Sequence, residues 1–356
     1  MNDKLIELGY TDFFELGRMN SKFPDTPVAR VIAEYKEAYK VKNESGEYLG
    51  RITGKQIFEA TKREDFPAVG DWVSIEELQN GNAVIRGILP RKTVLKKKYS
   101  NKQDIQIIAS NIDTAFIVEA VGKNYNLNRI ERFIVLAREG NITPVIVLNK
   151  ADLISEAELK TIISDIQKRF KIADVITTSV ITNHGLDKLK EYIKKNETYC
   201  FLGSSGVGKS SLINRLLGKD IIKTGEIISI TNKGKHTTTG REMYFMKNGG
   251  IIIDNPGTRE VGISNSSIGL KEVFDDISIL ANSCRYSDCS HTQEPNCAVL
   301  GALKEGVIDK DKYKNFLKLK KESEFYEMTE QERREKDRKF GKFIKKAKDQ
   351  LKQQEY

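Results

Sequence analysis

Two short runs hold most of the chemistry in this chain. One reads Gly203-Ser-Ser-Gly-Val-Gly-Lys209-Ser210, and the other reads Asn149-Lys-Ala-Asp152. The first has the spacing of a phosphate loop, in which backbone N–H groups and a helix N-terminus cradle phosphate oxygens. Lys209 would reach the β- and γ-phosphates, and the Ser210 hydroxyl would hold Mg²⁺. The candidate nucleotide contacts are Gly203, Ser204, Ser205, Gly206, Val207, Gly208, Lys209, Ser210 and Ser211. A chance Gly-rich turn is the competing reading. The apolar Tyr199–Leu202 before the loop and the amphipathic Ser211–Leu217 after it argue against that, because strand, loop and helix are the context the motif requires. Alone, the loop does not separate a GTPase from an ATPase or a kinase.

The second run supplies base selectivity. The Asp152 carboxylate can accept two hydrogen bonds, from the guanine N1–H and the 2-amino group, a donor pair that adenine lacks. Asn149 suits the O6/N7 side and can tether the phosphate loop, and the Lys150 stem can stack on the base. Ser179, at the end of Val175-Ile-Thr-Thr-Ser179, resembles the short loop that backs a guanine. Taken alone, it would read as a polar strand end. The guanine box precedes the phosphate loop here, the reverse of an ordinary G domain. The expectation is a circularly permuted one.

Two segments suit nucleotide-sensing switches. In Gly234-Lys-His-Thr-Thr-Thr239-Gly240, Thr238 is the candidate ligand for Mg²⁺ and the γ-phosphate, with Thr237 and Thr239 as close alternatives. In Ile251-Ile-Ile-Asp254-Asn-Pro-Gly257, Asp254 would hold Mg²⁺ through water, and the Gly257 N–H would report the γ-phosphate. Thr258 stands where many GTPases place a water-orienting Gln. Hydrolysis then needs another group. Of His184, His236 and His291, only His236 lies beside these Thr residues, so it is the catalytic candidate, with Lys209 and Thr238. A solvent-facing loop histidine is the alternative.

These groups need a parallel sheet to present them. Pro144–Leu148 is an aliphatic run suited to a strand buried on both faces, and it delivers Asn149 at its C-terminal edge, where α/β sheets bind ligands. The first hundred residues differ. Ala29–Ala33, Ala38–Val41, Tyr48–Thr53, Val69–Ile75 and Ala83–Ile88 alternate, with turn residues between them. They predict a small all-β barrel, with an OB-fold as the best match. Trp72 is expected to pack that barrel. Arg91, Lys92, Lys96, Lys97 and Lys98 beside Tyr99 suggest RNA contact, or else a solvated linker over about 90–105.

Cys284, Cys289, His291 and Cys297 form a closed cluster in sequence, a complete tetrahedral set for a structural Zn²⁺. Disulfides and ordinary buried cysteines are the competing readings. Cys200 reads as a core residue. From Leu303 to Tyr356 the pattern is helical, and Arg338–Lys348 is basic with Phe340, Phe343 and Ile344 interleaved. Such a helix can bind RNA, acidic protein or a membrane surface, and RNA is favoured here.

Taken together, these motifs resemble the RsgA/YjeQ family of circularly permuted bacterial ribosome-assembly GTPases. The resemblance rests on Asn149-Lys-x-Asp152, Ser179, Gly203–Ser210, Lys235-His-Thr-Thr-Thr239 and Asp254–Gly257, and on the Cys-x4-Cys-x-His-x5-Cys spacing. Asn255 departs from the Thr of many relatives. The resemblance implies an OB-fold that binds RNA, a structural zinc ion, and GTP hydrolysis with Mg²⁺ during late assembly of the small ribosomal subunit. It implies release from the subunit and its rRNA on hydrolysis.

The expected organisation is multidomain: an OB-fold barrel (1–100), an α/β circularly permuted P-loop GTPase domain (101–262), and an α-helical zinc-binding and basic domain (263–356). A length of 356 residues suits two to three domains, and a net charge of +9 favours a polyanionic partner. No run approaches a membrane span and no signal core is present. A cytoplasmic monomer with no membrane partner is expected. Two other functions remain to be discriminated: a P-loop phosphotransferase, and a non-catalytic RNA-binding module with a structural nucleotide.

Overall fold

The computed structural model describes residues 2–98, 105–123, 125–171, 173–220, 222, 241–254 and 267–329, with scattered positions between 331 and 344. Five strands, β1 (Val28–Glu34), β2 (Tyr39–Lys42), β3 (Glu47–Ile52), β4 (Trp72–Glu77) and β5 (Asn82–Ile88), form the N-terminal barrel. Their order is β1-β2-β3-β5-β4, and a β1–β4 pairing closes the ring. The expected barrel is present. Val31, Val41, Val73, Ile75 and Ile85 fill its interior.

The reading of the first hundred residues as all-β missed three helices: α1 (Asp3–Glu7), α2 (Asp12–Met19) and α3 (Gly54–Glu59). The first two cover one outer side of the barrel. Leu5, Leu8, Tyr10 and Phe14 pack there on Val28 and Trp72. Trp72 is fully buried in that layer, so it packs the barrel, as expected.

The suggested linker contains a hairpin, β6 (Val94–Lys98) paired antiparallel with β7 (Ile105–Ser110). Arg91 is not a free RNA-facing cation. Its Nη2 lies 2.7 Å from the fully buried Asp71 carboxylate, and it also donates to Glu64 O and Phe66 O. Lys96 pairs with Glu64 at 2.9 Å. A charge run looks the same in sequence whether solvated or paired.

The central sheet is built from β8 (Thr114–Ala120), β9 (Thr143–Asn149), β10 (Asp174–Thr177), β11 (Thr198–Leu202), β12 (Glu242–Phe245) and β13 (Ile251–Asp254). The order is β10-β9-β8-β11-β13-β12, parallel except for β12. Helices α4 (Leu127–Glu139), α5 (Glu156–Arg169), α6 (Leu186–Tyr192) and α7 (Lys209–Leu217) belong to this unit. Strands β8, β9 and β11 are almost continuously buried, which is why they read as apolar runs. Strand β12 pairs with β1, so barrel and central sheet form one eleven-stranded sheet.

The C-terminal module contains α8 (Ser267–Val273), α9 (Asp275–Ala281), α10 (Ala298–Lys304) and α11 (Lys310–Glu327). Its core is continuous with that of the central unit: Phe274, Val299 and Phe316 join one cluster with Ile134 and Ile146. A buried polar clamp reinforces this contact. Arg169 lies 2.8 Å from Glu131, and Asn315 donates to the same Glu131 carboxylate at 2.5 Å. Burial pushes the Glu131 carboxyl up, and Arg169 opposes that. No helix among the described residues is long and apolar enough to cross a membrane. The basic run 338–348 lies mostly outside the described residues.

Candidate functional site

The sheet brings the two chemistry-bearing runs together. β9 ends at Asn149, and β11 leads into the loop that ends at Gly208, one strand beyond β8. Asn149 is almost fully buried. Its Nδ2 donates to Val207 O at 2.8 Å, and its Oδ1 accepts from Thr178 Oγ1 at 3.1 Å. Lys150 has a left-handed backbone, and its Nζ reaches Gly206 O at 2.7 Å. Asn149 and Lys150 therefore each touch a carbonyl of the Gly-rich loop.

Asp152 accepts from Ser179 Oγ at 2.5 Å. Ser179 is itself fixed: its N–H donates to His184 O, and its Oγ accepts from Thr182 N at 3.2 Å. The bond engages the Oδ1 oxygen of the Asp152 carboxylate.

Gly208 shows why the loop needs glycine. Its φ is +97°, and a Cβ there would lie 2.3 Å from Asn149 Nδ2. Lys209 begins α7, and its Nζ donates to Gly203 O at 2.7 Å and Ser204 O at 2.8 Å. Ser210 and Ser211 follow in the first helical turn. Asp254 ends β13, which runs parallel beside β11, so it reaches the same sheet edge as the loop. His236, Thr237, Thr238, Thr239, Asn255, Gly257 and Thr258 lie outside the described residues. His184 is well apart from the switch segments in sequence, with Nε2 at 3.1 Å from Thr177 Oγ1.

The second constellation is a candidate metal centre. Ligand atoms of Cys284, Cys289, His291 and Cys297 all lie within 4.8 Å of one another. Cys284 Sγ is 3.7 Å from Cys297 Sγ, and each is 3.6 Å from His291 Nδ1. A disulfide needs an S–S separation of about 2.05 Å, so the disulfide reading is excluded for this pair. A tetrahedron with metal–sulfur bonds of about 2.3 Å has edges of roughly 3.8 Å, which fits. Burial, then Lys320, hold the His291 pKa below its ordinary value, and a neutral imidazole is the form that binds a metal. Tyr313 OH donates to His291 O at 2.6 Å, so α11 braces the cluster.

The profile of the RsgA GTPase family matches residues 88–264. The small ribosomal subunit biogenesis GTPase RsgA 1 of Bacteroides thetaiotaomicron is 40% identical over 350 residues, covering 98% of this chain and 97% of that protein. RsgA 2 of Lactiplantibacillus plantarum is 40% identical over 84% of each chain.

The chain belongs to the RsgA GTPase family.

The fold agrees with that membership. The crystal structure of YjeQ from Thermotoga maritima superposes with a TM-score of 0.61 at 27% identity, covering 82% of this chain and 96% of that one. The structure of YloQ, described as a circularly permuted GTPase, gives 0.60 at 23% identity, with 85% and 97% covered. In this RsgA family member the permutation is visible directly, since β9 with the guanine box precedes β11 with the phosphate loop. Thr178, which holds the Asn149 amide, was not singled out in the sequence. Its only signal was its place beside Ser179.

Proposed function

We propose that this GTPase hydrolyses GTP to GDP and phosphate as a late assembly factor of the small ribosomal subunit, binding rRNA and leaving on hydrolysis. Two relatives that align over most of this chain carry the name small ribosomal subunit biogenesis GTPase. The observation that carries the nucleotide reading is the Asn149–Val207 bond, which joins the guanine box to the phosphate loop. A phosphotransferase needs no such box.

In this reading Asp152 selects guanine, Asn149 and Ser179 hold the box in place, and the Lys150 stem lies along the base. Residues Gly203–Ser211 wrap the phosphates. Lys209 leaves its loop carbonyls for the β- and γ-oxygens. Ser210, Thr238 and Asp254 would hold Mg²⁺, which would neutralise phosphate charge. Gly257 would sense the γ-phosphate, and His236 would orient the attacking water. Cys284, Cys289, His291 and Cys297 hold one structural zinc ion. The protein acts in the cytoplasm as a monomer, through the barrel, the C-terminal basic segment and their cations. Mg²⁺-dependent GTP turnover by the full chain, and its loss in Lys209→Ala, tests the reading. Equal turnover by that variant contradicts it.

A further inference from the structure

Strand β4 carries different chemistry on its two faces. Val73 and Ile75 point into the barrel. Ser74 between them therefore points outward, on the side where Trp72 packs under α1 and α2. Ser74 is only 1% exposed, yet its Oγ has no hydrogen-bond partner among the described residues. Buried hydroxyls are normally satisfied, so this one lacks an expected partner.

The hydroxyl faces a cavity of about 640 Å³ between α2 and β5, a volume in the range of small-ligand sites. Its cross-strand partner is Gly87, which has no side chain to cover it. The pairing then slips by one residue, since Ile75 pairs with Ile85, and Arg86 is left as a bulge. Bulges are frequent beside functional sites. Gln56 Nε2 donates to the Arg86 carbonyl at 2.9 Å and holds this one in place.

The walls are apolar and the rim is cationic. Helix α2 packs Phe14 against Trp72 and turns Phe13 and Leu16 to the cavity, where they are 43% and 61% exposed. Phe23 stands over Gly87, with a ring carbon 3.5 Å from where a Cβ would lie. The two charged residues of the lining, Lys22 and Arg86, are both cations. Arg86 gives its Nε and Nη2 to Glu76. Neither its Nη1 nor Lys22 Nζ has a partner among the described residues. The complement of such a cavity is an anion that carries a flat apolar ring. Single-stranded RNA has these parts: a base to stack, a polar base edge, and a phosphate.

We propose that this cavity binds one unstacked nucleotide of single-stranded RNA. The base stacks on Phe13, its edge meets Ser74 Oγ, and the adjoining phosphate meets Lys22 and Arg86 Nη1. The site lies on β4 and β5, not on the β2–β3 face that OB-folds commonly use. It rests on the proposed rRNA binding and gives that binding a defined base site.

The test is fluorescence anisotropy of a labelled single-stranded oligoribonucleotide of about ten residues, a length within known site sizes, titrated with the full chain over a range of salt. Phe13→Ala weakens binding about 5- to 100-fold, the usual loss for one base–aromatic stack, and leaves the salt dependence unchanged. Lys22→Ala lowers the slope of log K against log salt by about 0.7, the share of one phosphate contact on a single strand. Ser74→Ala weakens binding about 2- to 10-fold. The melting temperature of that free variant stays level or rises, because an orphan hydroxyl has been removed. GTP turnover without RNA is unchanged in all three variants. Wild-type affinity in Phe13→Ala and Ser74→Ala overturns the inference and leaves the cavity to another occupant, such as a protein segment. A loss in Ser74→Ala that comes with a lowered melting temperature also overturns it, since the hydroxyl is then a structural group. If the wild-type chain pellets with small ribosomal subunits but does not bind the oligonucleotide, this site is refuted and the rRNA reading stands. Failure of both refutes both.

Discussion

Asn149 and Val207 stand 58 residues apart in sequence and are joined by one 2.8 Å hydrogen bond. That bond ties the Asn149–Asp152 run directly to the Gly-rich loop, the two parts to which the proposed function assigns the base and the phosphates. The reversed motif order does not disturb it, because sheet order rather than chain order decides which strand ends meet. β9 and β11 flank β8, and their C-terminal edges coincide.

Gly208→Ala breaks this unit from the loop side. The added Cβ meets Asn149 Nδ2 at 2.3 Å, on a backbone with φ +97°. Backbone strain of this kind costs about 1–3 kcal/mol. GTP and GDP binding weaken together, since the bond lies beneath both. Calorimetric titration with each nucleotide checks this; a loss confined to GTP contradicts it.

Asp152→Asn exchanges an acceptor for a donor opposite the base edge. GTP affinity falls by about 1.5–3 kcal/mol, the cost of a charged hydrogen-bond partner, and xanthosine triphosphate binds better than GTP. Competition between the two nucleotides reads the outcome, and unchanged GTP affinity refutes the guanine assignment.

His236→Ala separates binding from chemistry. It binds GTP with near wild-type affinity and hydrolyses it about 10²–10⁴-fold more slowly, the usual contribution of a positioned catalytic group. Single-turnover kinetics decide the matter. A wild-type rate makes His236 an ordinary loop residue.

Removing the metal reaches beyond the cysteine module. Cys289, Cys297, Phe274 and Phe316 share a core with Ile134 and Ile146 of the central unit, and binding energy at such a site is folding energy. Elemental analysis of native protein is expected to find one zinc per chain, and none would contradict the metal reading. A strong chelator lowers the melting temperature of the whole C-terminal and central unit in a single transition. Phe274→Ala, at a fully buried position, destabilises the same transition by about 3–5 kcal/mol. A separate early transition of the module contradicts the shared core.

Much of this was legible in the sequence where a local pattern dictates local structure. Pro144–Leu148 has the aliphatic run of a strand buried on both faces, and Gly203–Ser210 needs a strand before it and a helix after it. The five alternating runs of the barrel matched β1 to β5. Three cysteines and one histidine within 284–297 also announced their cluster. Helices α1 and α2 were missed because each is short and sits beside a strand-rich region. Their apolar residues Leu5, Leu8, Tyr10 and Phe14 gain meaning only against Trp72. Arg91 read as an RNA contact, or else as part of a solvated linker, because its partner Asp71 is 20 residues away. Glu34 and Arg241 are 207 residues apart, and no periodicity links them. Long-range pairing of this kind is set by topology.

The most direct test of the account is GTP turnover with and without purified small ribosomal subunits, paired with co-sedimentation at low and high salt. Subunits raise turnover. Pelleting is stronger with a non-hydrolysable GTP analogue than with GDP, and it weakens steeply with salt as neutralised phosphates release counterions. Unchanged turnover, with equal pelleting in both nucleotide states, would leave a GTPase without its ribosomal switch.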